Sequence, residues 1–375
     1  MTTQQPDSRL RSLDALRGID MFFIMGGGMI VCGLAACFPC PLLDSLARQM
    51  GHAPWGEGMR FEDLIFPMFL FIAGVSFPFS LSKQQQKGAS NTKITLKIIR
   101  RGLALVALGI IYNGLLGLDV DYANPRFASV LGRIGLAWMF GALIFLYTKK
   151  WHLRAAIALT LLLGYWALLS LVSAPDADGA GVFTPEGNIA CYIDRLLLPG
   201  FLCGGNYDPE GLLSTLPAIA TALLGMLTGS FVKAEHTVFS PAKKSLAMCC
   251  AAIALLGIAF AWDTVFPVNK YLWTSSFVCM AGGWSLLLFA LFYYIIDVRG
   301  LRRWTLFFSV IGMNSITIYL AQEFINFGYT TRALFGWLIR LVPEQAEYLV
   351  YALGYTALCW LFLYLLHRLK IYLKV

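Results

Sequence analysis

Residues 51–82 read GHAPWGEGMRFEDLIFPMFLFIAGVSFPFSLS: a polar turn runs straight into an apolar stretch of about 20 residues, long enough to carry a helix across about 30 Å of hydrocarbon. Apolar stretches of this kind recur along the chain, with approximate cores at 15–37, 61–82, 94–117, 128–148, 152–173, 211–232, 245–264, 272–296, 304–327 and 347–367. Hydrophobic residues make up 58% of the sequence and charged residues 13%, against about a quarter charged in soluble proteins. Mean hydropathy is +0.68. The reading is an all-α, polytopic integral membrane protein of about ten transmembrane helices, forming a single domain over residues 1–375. No internal repeat, low-complexity linker or Gly-rich nucleotide loop divides it.

Basic residues sort to alternate connections, as they do when short cytoplasmic loops retain Lys and Arg. One side collects Arg9, Arg11 and Arg17, then Lys83, Lys87, Lys93, Lys97, Arg100 and Arg101, then Lys149, Lys150 and Arg154. It also collects Lys233, Lys243 and Lys244, then Arg299, Arg302 and Arg303, and finally Arg368, Lys370 and Lys374. These are 21 of the 29 basic residues, so both termini are expected in the cytoplasm. The sorting accounts for the net charge of +8 without a nucleic-acid surface.

The first apolar run follows a short basic leader and is long enough to span, so it is expected to stay as a helix rather than be cleaved as a signal. No Asn-x-Ser/Thr acceptor occurs, which favours a bacterial inner membrane. Cys249, Cys250, Cys279 and Cys359 fall in predicted spans as small packing residues. Cys37, Cys40, Cys191 and Cys203 fall on the outer side, where an oxidising compartment permits disulfides. No metal-ligand spacing emerges, and no metal is expected. The longest outer loop, about 174–210, exceeds a simple turn, and its centre YIDRLLLPGF is expected in the interface or packed on the bundle.

Topology separates the histidines: His152, His236 and His367 map to the cytoplasmic side, and His52 alone faces out. An imidazole suits proton transfer near neutral pH, which makes His52 a candidate general base; the alternative is a solvated loop histidine. Glu57, Glu62 and Asp63 read equally as loop charges, and Asp63 stands where a carboxylate caps the N-terminus of the next helix.

Three further polar groups fall inside or at the ends of spans, where ionisable residues face a partner or a cavity. In RSLDALRGID, Asp14, Arg17 and Asp20 follow one another at helical spacing, as an ion-pair ladder or the wall of a polar site. In GMNSITIYLAQEFIN, Ser315, Tyr319, Gln322 and Asn326 share a face with Asn314 and Glu323 beside it, which suggests a polar pocket or passage rather than isolated interhelical glue. In RFASVLGRIG, Arg126 and Arg133 stand two turns apart, either to hold an acidic substrate group or to anchor a loop carboxylate such as Asp119 or Asp121. Trp55, Arg126, Arg133 and Glu323 are the candidate substrate contacts.

The ordered series RSLDALRGI, GHAPW, DLIFPMFLFIAG, YIDRLLL, YDPEG, PVNKYLW and GMNSI resembles the heparan-α-glucosaminide N-acetyltransferase family and its bacterial relatives among transmembrane acyltransferases. The resemblance runs from Arg11 to the C-terminus. It implies an enzyme that takes acetyl-CoA from the cytoplasm and passes the acetyl group to an amino sugar, a terminal glucosamine-like amine, or a sugar hydroxyl on the far side of the bilayer. The histidine of the HAPW element corresponds to the family's active-site residue and is His52 here, with Asp63 and Asn314 as candidate catalytic partners. Arg17, Arg100, Arg101, Arg302 and Arg303 are the candidates for the polyanionic end of acetyl-CoA. A homodimer follows only from the likeness. Where lysosomal members carry an asparagine near the end of the first helix, this sequence has Gly28. A transporter or flippase for a glycan or lipid-linked sugar is the alternative reading of ten helices with a polar interior.

Overall fold

The computed structural model describes residues 10–115, 125–177, 179, 181–234 and 239–373. Of the residues singled out above, Arg9, Asp119, Asp121, His236 and Lys374 lie outside the described set. Helices account for the described fold: α1 (Arg11–Cys37), α2 (Pro41–Gln49), α3 (Phe61–Gln86), α4 (Asn91–Ile110, continued to Leu115), α5 (Val130–Tyr147), α6 (Trp151–Leu171) and α7 (Ile189–Leu197). They continue as α8 (Thr215–Lys233), α9 (Pro241–Asp263), α10 (Ser275–Val298), α11 (Thr305–Met313), α12 (Ser315–Phe324), α13 (Phe327–Ile339) and α14 (Glu344–Arg368). Among the described residues there is no strand, only an isolated bridge between Arg126 and Gly200.

Among the described residues eight helices, α1, α3, α5, α6, α8, α9, α10 and α14, are long and apolar enough to cross a membrane, and the pair α11–α12, bent by 67°, makes a ninth if counted as one span. The remaining expected segment is helical as α4, but Lys93, Lys97, Arg100 and Arg101 occupy its first turns. The bend between α11 and α12 falls at Asn314, whose backbone leaves the helical region at φ −125° and ψ 29°. A separate helix, α13, follows between the expected segments at 304–327 and 347–367.

Between apolar helices in lipid, close packing rather than burial from water drives association, so small residues mark the contacts. Along α8, Gly225 and Gly229 are four residues apart on one face, and a Cβ on either would come within 2.2 and 2.3 Å of the Phe71 and Val75 carbonyl oxygens of α3. That contact places α3 at the centre of the bundle. Its Phe71 and Val75 are 1% and 0% exposed. Near its outer end α1 is kinked over Phe23–Gly27, where Gly26 adopts φ 152°, closed to side chains both by conformation and by Thr356 of α14, whose Oγ1 stands 2.2 Å from a Cβ position.

The loop expected at about 174–210 packs on the bundle in part. Ile189, Ala190 and Cys191 of α7 are buried with Tyr165, Leu169, Phe266 and Leu272, while Leu196, Leu197 and Phe201 stay exposed. Arg195 ties the loop together, donating to Asp176 at 2.6 Å and to the Asn206 carbonyl at 3.0 Å. All nine cysteines are free.

Candidate active site

His52 and Asp63 meet because the chain between them turns back onto the first turn of α3. Asp63 is 1% exposed, and its Oδ2 accepts the backbone N–H groups of Ala53 (3.0 Å) and Arg60 (2.9 Å), the latter as the reciprocal cap of the helix start. The positive end of the helix and two N–H donors favour an ionised carboxylate there. Its Oδ1 lies 2.9 Å from His52 Nδ1. An acceptor on that side places the ring proton on Nδ1 and leaves Nε2 as the basic nitrogen. The His52 side chain is 48% exposed, so the ring is accessible. Arg60 fixes the turn by donating to the His52 carbonyl at 2.9 Å.

Lys270 reaches this pair from the connection between α9 and α10. Its Nζ is 3.5 Å from Asp63 Oδ1, and 2.9 and 3.2 Å from the two His52 ring nitrogens. A group nearly equidistant from both nitrogens lies off the lone-pair axis of each, so Lys270 acts here as a charge beside the ring rather than as its hydrogen-bond partner. Burial lowers the Lys270 ammonium below the usual lysine range, against the nearby Asp63, Glu210 and Glu62 carboxylates. The turn that presents it is unusual: Trp273 has φ 51°, a left-handed conformation that costs an ordinary residue about 1–3 kcal/mol. Packing holds it there, with Trp273 1% exposed, its indole N–H 3.3 Å from Thr221 and the Arg133 guanidinium over its ring at 5.1 Å.

Aromatic rings flank the histidine. Trp55 stacks on Tyr271 at 5.3 Å and meets Tyr207 edge-on at 4.6 Å, and its indole N–H donates to the Phe183 carbonyl of the outer loop at 2.7 Å. The Tyr271 hydroxyl donates to the Ala53 carbonyl at 3.2 Å, joining the two loops beside His52.

Arg126 is engaged by loop carboxylates. It donates to both oxygens of Asp208 (3.1 and 2.8 Å) and to Glu210 (2.6 Å). Burial opposes its charge, but the hydrogen bonds and charges of Asp208 and Glu210 outweigh that and raise the guanidinium further. Burial likewise opposes the Asp208 charge, yet Arg126 holds that carboxyl below its usual range, while burial and the Asp208 charge push Glu210 up. Arg133 lies beneath at 2% exposure, donating to the Gly211 carbonyl at 2.9 Å and to Ser214. Of the alternatives open in the sequence, anchoring of a loop carboxylate is therefore the role the geometry gives Arg126, with Asp208 and Glu210 as partners. Glu323 is exposed on α12, and none of the hydrogen bonds described for the His52 cluster includes it.

Two cavities lie at the basic end of the bundle. One of about 590 Å³ is lined by Arg17, Arg101, Ser76, Lys83, Lys87 and Lys233. A second, of about 630 Å³, shares Ser82 and Lys233 with it and adds Lys149 and Arg154. Arg17 donates to Ser76 at 3.3 Å, and the Arg101 guanidinium stands 4.5 Å from the centre of the Trp138 ring. Arg100, Arg302 and Arg303 are exposed and do not line either cavity. Deeper between α1, α3, α5 and α12, an apolar void of about 50 Å³ is lined by Met21, Ile24, Ile65, Phe66, Phe69 and Tyr319 among others.

Asn314 is engaged away from the histidine, donating to the Ile371 carbonyl at 3.2 Å and accepting from Thr317 at 3.4 Å. The supposed polar stripe on α12 divides in the same way: Ser315 and Tyr319 line the void, Gln322 donates to Tyr355 at 3.0 Å, and Asn326 caps α13. Gly28, in contrast, lies beside the site, since a Cβ there would meet Met50 at 3.7 Å, an ordinary contact with the turn that carries His52. Lys270, Tyr271, Tyr207, Asp208 and Glu210 were not anticipated as site residues, although PVNKYLW and YDPEG, which contain them, stood out in the sequence.

A family described as a domain of unknown function (DUF5009) matches residues 9–183. The chain is 28% identical over 421 aligned positions to the heparan-α-glucosaminide N-acetyltransferase of Homo sapiens, covering 98% of this chain and 60% of that protein. It is 27% identical over 437 positions to the Mus musculus protein of the same name, covering 100% of this chain and 62% of that protein. The chain thus spans about three-fifths of the length of these relatives. The likeness read from the motifs is borne out along the whole chain.

Proposed function

From its similarity to heparan-α-glucosaminide N-acetyltransferases, we propose that this chain is a transmembrane acetyltransferase that carries an acetyl group from acetyl-CoA on its basic side to an amino sugar, or a sugar hydroxyl, on the His52 side. We place the basic side in the cytoplasm, following the charge sorting. The observation that carries the reading is the arrangement along α1 and α3. Arg17 and Ser76 line a basic cavity at one end, and Asp63 holds an accessible imidazole at the other. Ser76 and Asp63 stand on one helix, separated by about 20 Å at a rise of about 1.5 Å per residue.

In this scheme the nucleotide phosphates of acetyl-CoA occupy the basic cavity, paired with Arg17, Arg101, Lys83, Lys87 and Lys233, and the pantetheine arm enters the bundle. Asp63 keeps the ring proton on Nδ1, and Nε2 removes a proton from the acceptor amine as its nitrogen attacks the thioester carbonyl. The new N–C bond forms, the C–S bond breaks, and the proton passes from Nε2 to the departing thiolate. The Lys270 ammonium stands beside the ring to offset charge developing on the carbonyl oxygen. Trp55, Tyr271 and Tyr207 offer the aromatic wall of a sugar site. A two-step route, in which Nε2 takes the acetyl group before the acceptor does, uses the same nitrogen and is recognised by acetylated His52 after a rapid quench.

The test is transfer by purified protein. Labelled acetyl-CoA and glucosamine should give labelled N-acetylglucosamine, and His52→Ala should reduce this to background while the protein stays folded. Wild-type rates in His52→Ala would remove the site.

A further inference from the structure

A carboxyl group inside the bundle has no partner. Asp20 of α1 is 0% exposed, and neither of its oxygens has a hydrogen-bond partner. The ladder suggested by Asp14, Arg17 and Asp20 therefore does not satisfy it. A buried acceptor that is left empty is a liability unless something fills it when the protein works.

Its place along α1 indicates what would fill it. Arg17, one turn before Asp20, lines the basic cavity; Met21, next to it, and Ile24, one turn on, line the apolar void. On the facing helix α3 the same order runs from Ser76 at the cavity to Phe69 and Ile65 at the void, and then to Asp63 beside His52. Asp20 also lies within electrostatic reach of Arg17 on one side and Glu62 on the other. It is thus an unfilled acceptor midway along the line from cavity to histidine. The walls of the void beyond it are mainly hydrocarbon.

A pantetheine arm threaded along this line brings the complementary deficit. Its amide N–H groups lose their water on entering the bundle and need acceptors where the walls offer few. We propose that Asp20 is the internal binding residue for the arm of the acyl donor, its carboxyl receiving an amide N–H at the boundary between the basic cavity and the apolar void. This rests on the acetyl-CoA reading above and adds to it a subsite that recognises the arm rather than the nucleotide. The Arg and Lys side chains of the cavity hold phosphates; Asp20 holds the part of the molecule that reaches His52.

The experiment is equilibrium binding of CoA and of 3′,5′-adenosine diphosphate, which lacks the arm, to the full chain in lipid nanodiscs. Asp20→Leu should weaken CoA by about tenfold or more while leaving 3′,5′-adenosine diphosphate unchanged, and Asp20→Asn, which keeps an acceptor oxygen, should retain CoA within about threefold. Thermal stability separates this from a structural role. Replacing an unpaired buried carboxyl by a hydrocarbon should leave the melting temperature equal or higher, whereas a structural carboxyl would lower it. CoA bound by Asp20→Leu as tightly as by wild type, equal weakening of both ligands, or a lower melting temperature in that variant would each overturn the assignment. Wild-type protein that binds neither ligand would instead remove the donor reading itself.

Discussion

Asp63 Oδ1 lies 2.9 Å from His52 Nδ1, while Oδ2 of the same carboxylate accepts two backbone N–H groups at the start of α3. One side chain thus caps a membrane helix and orients an exposed imidazole. The position of the ring is tied to the start of the central helix of the bundle.

Asp63→Asn tests the orienting role. An amide in place of the carboxylate presents an N–H or a weaker acceptor to Nδ1 and favours the other tautomer, so Nε2 is no longer the free base. The expected loss in kcat is on the order of 10²–10⁴-fold with a small change in the KM for acetyl-CoA. Steady-state kinetics on protein of unchanged melting temperature measures it. A kcat within a few-fold of wild type would leave Asp63 as a helix cap only.

Lys270→Met removes the cation beside the ring without removing the apolar stem. If the ammonium offsets charge on the carbonyl oxygen, kcat falls by about 10²–10³-fold, and Lys270→Arg recovers part of the loss. Unchanged kcat in Lys270→Met would show that the charge has no share in the transition state.

Arg126→Met leaves the Asp208 and Glu210 carboxylates packed without their counter-ion. The guanidinium is 21% exposed and Asp208 is fully covered, so the expected cost is about 2–3 kcal/mol, less than for a wholly buried pair. Denaturation of the purified protein reads the shift. A single variant as stable as wild type would mean that this ion pair does not hold the outer loop.

Asp194 supplies a pH signature. Burial pushes its carboxyl up to about 7, against the Leu212 N–H, while the unfolded chain keeps the ordinary aspartate value. Between about pH 4 and pH 7 the folded state therefore binds the proton that the unfolded state has lost, and stability declines as pH rises through that window, then levels above it. Thermal melts from pH 4 to 8 should show the decline, by at most about 4 kcal/mol, and Asp194→Asn should remove this component. A slope identical in both proteins would contradict the assignment.

Much of the fold is legible in the sequence because it depends on local periodicity. Apolar runs of membrane length and alternating basic loops give the helices and their order, and an acidic residue three positions into α3 is readable as a cap. His52 stood out by elimination once the loops were sorted. The rest depends on contacts between distant segments. Lys270 is 218 residues from His52, and nothing in PVNKYLW says which loop it meets. Asn314 looked suited to the site, but a break in the helix, invisible to hydropathy, turns its amide to the Ile371 carbonyl. Arg302 and Arg303 carry the same charge as Arg17 and Arg101, and only tertiary packing decides which pair lines a cavity.

The most direct test of the central claim is the sidedness of transfer in sealed proteoliposomes, with labelled acetyl-CoA confined to one compartment and glucosamine to the other. The account predicts acetylated sugar in the compartment that never held acetyl-CoA, at a rate that disappears in His52→Ala. Product formed only when both substrates share a compartment would contradict it.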